Sequence, residues 1–175
     1  MRYASIRSMD ISNGSGIGVA AFVQGCHMHC TGCFNQETWN FDGGKEWTEE
    51  VENKFLKMIN KPYITRVSIL GGEPLAVENC KDVYNLCKRI KQEFPNKKIW
   101  VYTGYTYDRD LVLGGCRYTK FTDSILDQID ILVDGRFVEE RKNLCLKFRG
   151  SENQRIIDMR QTRAAGKVVL SPLNN

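Results

Sequence analysis

The chain reads as an α/β protein, a single domain over residues 1–175 folded as an open partial (β/α) barrel. Three observations predict this. Apolar strand-like runs alternate with segments of helical period, which implies βαβ units around a parallel sheet. The units are too few to close an eight-stranded barrel, which takes ~250 residues. The unusual residues follow the apolar runs, where sheets of this kind bind their ligands.

The elements follow in order. Val19-Ala-Ala-Phe-Val23 is a strand. Thr48 is the expected N-cap of a helix whose first turn carries Glu49, Glu50 and Glu52, acids that suit the positive end of the helix dipole. Val51, Phe55, Met58 and Ile59 give that helix an apolar face, and it ends before Pro62. Val67-Ser-Ile-Leu70 is the next strand. From Ala76 to Phe94, apolar residues at 76, 77, 80, 83, 84, 87, 90 and 94 keep a helical period, and Pro95 follows. Ile99-Trp-Val-Tyr102 is a strand, Thr122 to Gln128 a short helix and Ile129-Asp-Ile-Leu-Val133 a strand. Ile156-Ile157 is a candidate for one more. After these runs come Gly25-Cys26, Gly71-Gly72-Glu73-Pro74, Thr103-Gly104-Tyr105 and Asp134-Gly135-Arg136.

At 175 residues there is room for one good core and not for two. Apolar residues make up 42% and charged residues 26%, the composition of a soluble globular protein. No apolar run approaches the ~20 residues that cross a bilayer. The stretch Met1-Arg-Tyr-Ala-Ser-Ile-Arg lacks the apolar core of a signal peptide. A cytoplasmic protein is expected, without a membrane partner. The net charge of +4 is mild and demands no nucleic acid, and none is expected. Seven cysteines in such a chain argue for metal or redox chemistry over disulfides.

Three of those cysteines crowd into Cys26-His-Met-His-Cys30-Thr-Gly-Cys33, a C-x3-C-x2-C spacing directly after a strand. Iron in a [4Fe-4S] cluster normally takes four cysteines. A three-cysteine loop leaves one iron open to a small molecule. Zinc is the alternative, since it takes Cys and His in a tetrahedron, and His27 and His29 lie inside the loop. Structural zinc sites pair two separate arms, however, and no second C-x2-C follows. The two histidines read as solvated loop residues.

The cysteine loop resembles the signature of the radical S-adenosylmethionine (AdoMet) superfamily. Gly71-Gly72-Glu73-Pro74 fits the same resemblance. Two adjacent glycines after a strand allow positive φ and close approach of backbone to a ligand, and Pro74 suits the first turn of the next helix. An ordinary strand–helix turn is the plainer reading. The resemblance implies that Gly71, Gly72 and Glu73 hold the amino group of AdoMet. It implies that Gly32, Cys33 and Phe34 touch the adenine. Many members carry an aromatic residue where this chain has Gly32, and Phe34 is the expected apolar contact in its place. Asn13-Gly-Ser-Gly16-Ile-Gly18 looks like a dinucleotide loop but has Val19 where the third glycine belongs, and it precedes a strand. It reads as a flexible approach to the cysteine strand.

A closer resemblance joins Phe22-Val-Gln-Gly-Cys26, Cys33-Phe-Asn-Gln-Glu-Thr-Trp39, Tyr102-Thr-Gly-Tyr105, Leu132-Val-Asp-Gly135 and Arg149-Gly-Ser-Glu-Asn-Gln-Arg155. In this order they are similar to the activating proteins of anaerobic (class III) ribonucleotide reductase, from about residue 10 to 158. The resemblance implies a [4Fe-4S] cluster on Cys26, Cys30 and Cys33 that cleaves AdoMet reductively. The 5′-deoxyadenosyl radical so formed takes hydrogen from a backbone glycine of the reductase large subunit. It also implies an external one-electron donor such as flavodoxin. The rival readings are a small radical AdoMet enzyme acting on a free metabolite, an activase of another glycyl radical enzyme, and a non-catalytic iron–sulfur or zinc module. Arg149, Ser151, Asn153, Gln154 and Arg155 are rich in donors, suited to a polar turn or to a carboxylate. Cys80 and Cys87, seven apart on one helix, are expected in the core. Cys116 is placed in a turn and Cys145 in an apolar patch.

Overall fold

A computed structural model describes residues 1–174. Its seven strands are β1 (Arg2–Asp10), β2 (Gly18–Val23), β3 (Lys45–Glu46), β4 (Arg66–Gly71), β5 (Lys98–Tyr102), β6 (Ile131–Asp134) and β7 (Arg155–Asp158). Its helices are α1 (Glu49–Ile59), α2 (Val77–Glu93), α3 (Tyr107–Asp110), α4 (Thr122–Leu126) and α5 (Met159–Ala165). The strands form one sheet in the order β3-β1-β2-β4-β5-β6-β7. β2, β4, β5 and β6 run parallel, in the register Val19↔Val67, Val67↔Ile99 and Trp100↔Ile131. β1 and β7 lie antiparallel to their neighbours. The sheet is therefore mixed: the expected parallel core is present, flanked by antiparallel strands on both sides.

Each side chain's face follows from strand alternation. Val19, Ala21, Val23, Val67, Ile69, Ile99, Val101, Leu132 and Ile157 point to one side and join the apolar faces of the helices, with Phe55, Ile59, Val83, Leu86 and Ile90, in the main core. Cys80 and Cys87 are buried in that core, as their helical spacing predicts. The opposite face carries Phe22, Leu70, Trp100, Tyr102, Val133 and Ile156 in two smaller clusters. This second face, covered only by loops, holds the candidate site.

Local chemistry sets the element ends. Thr48 caps α1 by accepting the Val51 N–H at 3.3 Å. Asp158 caps α5 by accepting the Gln161 N–H at 2.9 Å. β6 begins two residues later than its apolar run suggests, because Asp130 turns inward. Its carboxylate accepts the Ile99 N–H at 2.8 Å and pairs with Lys91 at 2.6 Å and Arg160 at 3.0 Å. Among the described residues no helix is long and apolar enough to cross a membrane.

Candidate functional site

The loops after β2, β4, β5 and β6 meet around a cleft of about 530 Å³. Cys26, Cys30, Cys33, Phe34, Gly71, Gly72 and Glu73 all line it, so residues far apart in sequence share one space. Gly32 does not line it. Its φ is +69°, and a Cβ there would stand 2.5 Å from the Glu139 carboxylate. That glycine is required by the turn and its neighbour.

Cys30 is buried, while Cys26 and Cys33 are half-buried. Burial raises the Cys26 thiol above its ordinary pKa, and the backbone N–H groups of Met28 and His29 oppose the rise by bonding to the sulfur. The Cys33 sulfur accepts the Asn35 N–H at 3.4 Å. Backbone donors aimed at sulfur favour a thiolate, the form in which cysteine binds metal. Among the described residues no three His, Cys, Asp or Glu side chains converge as a single ion would require. The histidines stand outside this arrangement. His27 pairs with Glu78 at 2.8 Å and lies against Phe41, while His29 stacks on Trp39 at 4.5 Å.

The Gly71-Gly72-Glu73 turn is pressed against the cysteine strand. Gly71 has φ +104°, and Glu73 N–H donates to the Gly25 carbonyl at 2.8 Å. The Glu73 side chain is buried and firmly held. Leu75 N–H and the Thr103 hydroxyl donate to Oε1 at 2.9 and 2.8 Å, and Gly104 N–H donates to Oε2 at 2.8 Å. Burial raises its pKa to about 7 against those three bonds. A cation brought to this carboxylate would favour its ionised form.

The supporting residues were only half legible. Thr103 and Gly104 grip Glu73, and Arg136 donates to the Met28 carbonyl at 3.0 Å, tying the cysteine loop to the end of β6. Their signal was their place directly after apolar runs. Asp134 is engaged within the fold, bonded through Oδ1 to Arg155 Nε at 2.9 Å and through Oδ2 to Tyr107 N–H at 2.8 Å. The Arg149–Arg155 segment buttresses itself. The Gln154 side-chain oxygen accepts Gly150 and Ser151 N–H at 2.8 and 3.1 Å, and its amide donates to Gly135 O at 3.0 Å. Cys116 and Cys145 are exposed, so the apolar patch expected around Cys145 does not cover it. Phe34 is exposed too, packed edge-on against Phe137 at 5.2 Å with Lys142 over its ring at 5.0 Å.

Comparison with known proteins adds the family. A family model described as a 4Fe-4S single cluster domain matches residues 12–157, most of the chain and every cleft-lining cysteine. A protein of Salmonella typhimurium named anaerobic ribonucleoside-triphosphate reductase-activating protein is 39% identical over 162 residues, which is 91% of this chain and all of the relative. The chain belongs to this family of activating proteins. Relatives of the same name come from Escherichia coli K12, 37% identical over 91% of this chain and all of theirs. Another comes from bacteriophage T4, 35% identical over 89% of this chain and 93% of its own. The family model describes a 4Fe-4S domain, and Cys26, Cys30 and Cys33 lie within the stretch it matches.

Proposed function

We propose that this protein activates an anaerobic ribonucleotide reductase as a radical AdoMet enzyme. What supports the reading is that the thiols of Cys26, Cys30 and Cys33 and the Gly71-Gly72-Glu73 turn line one cleft of about 530 Å³, in a chain belonging to that family of activating proteins. The chain is then one radical AdoMet domain over residues 1–175, an open partial (β/α) barrel around β2, β4, β5 and β6.

Cys26, Cys30 and Cys33 would hold three irons of a [4Fe-4S] cluster. Gly71, Gly72 and Glu73 would hold the amino group of AdoMet, and Cys33 and Phe34 its adenine, with the turn at Gly32 setting their position. When bound, these groups supply reductive cleavage of AdoMet and removal of hydrogen from a backbone glycine of the reductase large subunit. The protein's own part is to bind, orient and shield. Met28 and His29 N–H favour the Cys26 thiolate. Leu75, Thr103 and Gly104 fix the Glu73 carboxylate in one position. Phe34, Phe137 and Leu146 line the cleft with apolar surface that excludes water. The reductant is an external one-electron donor such as flavodoxin, and the setting is the cytoplasm, with no membrane or nucleic acid as partner.

The test is an electron paramagnetic resonance spectrum of the anoxic mixture of cluster-loaded protein, AdoMet, reductant and the reductase. A glycyl doublet is expected on the reductase with the intact chain and not with Cys30→Ala. Rapid AdoMet cleavage with no radical on the reductase would move the assignment to an enzyme acting on another acceptor.

A further inference from the structure

The segment between β6 and β7 folds back on itself beside the cleft as a small hairpin. Its stem is fixed. Glu152 N–H donates to the Arg141 carbonyl at 3.0 Å, and Asn143 N–H to the Gly150 carbonyl at 3.2 Å. Lys142 and Ser151 pair across it as an antiparallel bridge. The returning arm is held as well. Gly150 N–H donates to the Gln154 side chain at 2.8 Å, and the Arg149 terminal nitrogens donate to the carbonyls of Gln154 and Asn174. The tip is different. From Leu144 to Phe148 the only hydrogen bonds among the described residues run back to Asn143, from Cys145 N–H at 3.0 Å and Leu146 N–H at 3.3 Å. Phe148 ends the tip as an anchor. Its ring lies edge-on to Trp100 at 5.6 Å, and its φ of +59° is a left-handed turn that a bulky side chain seldom adopts.

Asn143, Leu144, Leu146 and Phe148 of this hairpin all line the cleft. Leu144 is nevertheless 83% exposed. A leucine on a tip without bonds to the rest of the fold, beside an open cleft, gains burial as soon as the cleft holds something to lie on. We infer that Leu144–Lys147 is a lid, which swings between its anchors at Asn143 and Phe148 and lays Leu144 and Leu146 over AdoMet bound in the cleft. This deepens the radical AdoMet reading and rests on it. Closure expels water from the site, which protects a reactive intermediate from side reactions. Loops that close in this way are gates, hinged at a few residues beside the moving part. Because so few bonds hold the tip, the lid yields again to the reductase, which must reach the same cofactor.

The test is limited proteolysis of the anoxic, cluster-loaded protein by trypsin, with and without saturating AdoMet. Lys147 is the exposed tryptic site of the tip, and Lys167, exposed beyond α5, is the internal control. Trypsin cuts a loop in its open form, so a lid that AdoMet keeps closed about nine-tenths of the time should be cut about tenfold more slowly after Lys147. Cleavage after Lys167 should not change. Leu144→Asn alters an exposed position and should abolish the protection. It should also release AdoMet about tenfold faster, since one leucine is no longer buried in the closed form, with melting temperature and iron content unchanged. Unchanged cleavage after Lys147 in saturating AdoMet overturns the lid. So does equal slowing at both lysines, which is general stabilisation, or an AdoMet dissociation rate in Leu144→Asn equal to that of the unaltered chain. If the cluster-loaded protein binds no AdoMet at all, the cofactor reading itself fails and takes the lid with it.

Discussion

Gly72 shows how a motif residue is held by something other than its ligand. A Cβ at this position would stand 2.5 Å from the Gly25 carbonyl oxygen, one residue before Cys26. The glycine lets two strand ends touch, and its neighbour Gly71 is confined in the same way by Phe22 and Val23. Gly72→Ala should therefore push the cysteine loop outward. We expect loss of bound iron as well as weaker AdoMet binding, and a stability loss of ~1–3 kcal/mol from overpacking. Iron analysis and urea unfolding measure both, and full iron retention with normal stability would show that the contact relaxes freely. Glu73 makes the second prediction at this scale. Its folded pKa of about 7 lies above the ordinary 4.5 because burial disfavours the charge. Below pH 4.5 the carboxyl is protonated folded and unfolded alike, and its contribution to stability is complete. As pH rises toward 7 the unfolded chain loses its proton first, so stability falls through this window. Glu73→Gln should flatten that fall in the metal-free protein, at the cost of setting an amide against one of three donors. A pH series of unfolding midpoints with the same slope in both proteins would sink the assignment.

Among the elements, an ion pair that only the fold reveals ties β1 to β4 across β2. Arg66 and Asp10 are both buried, and Arg66 Nη2 donates to the Asp10 carboxylate at 2.7 Å and to its backbone carbonyl at 2.8 Å. Nη1 donates to the Ser68 hydroxyl at 2.6 Å, which in turn donates to the Asn13 carbonyl at 2.6 Å. Two glycines of the Asn13–Gly18 loop, Gly14 and Gly18, belong to this arrangement. A Cβ at Gly14 or Gly18 would meet the Arg66 side chain at 2.7 or 2.4 Å. The loop is thus a packed cover for the guanidinium and not the flexible approach its composition suggests. Removing one partner leaves the other charge buried and uncompensated. Asp10→Ala should destabilise the protein by ~3–5 kcal/mol, read from urea unfolding. A loss under ~1 kcal/mol would mean that the arginine escapes to solvent.

Over the whole molecule, the two faces of the sheet divide the work. One face and its helices form the main core, and the other is left to loops that carry the thiols and the glycine turn. The parallel strands are staggered so that the C-terminal ends of β2, β4, β5 and β6 fall together, which gathers residues separated by most of the chain into one cleft.

The sequence by itself determined the four parallel strands, α1, α2 and α4, the core fate of Cys80 and Cys87, and the family-specific motifs. Those features are local: an apolar period, a cap, or a spacing of cysteines short enough to share one group. What escaped was β1, whose Arg2-Tyr-Ala-Ser-Ile-Arg-Ser-Met run mixes polar and apolar residues because one side of this flanking strand faces solvent. Also missed was α5, a short helix with only Met159 and Thr162 buried. The tertiary structure alone decided that Thr103 and Gly104 would grip Glu73, that Arg136 would hold the cysteine loop, and that Gly72 would rest on Gly25. Such contacts join residues distant along the chain. They depend on strand order and register, which are set by the packing of the whole sheet and leave no periodic trace in the sequence.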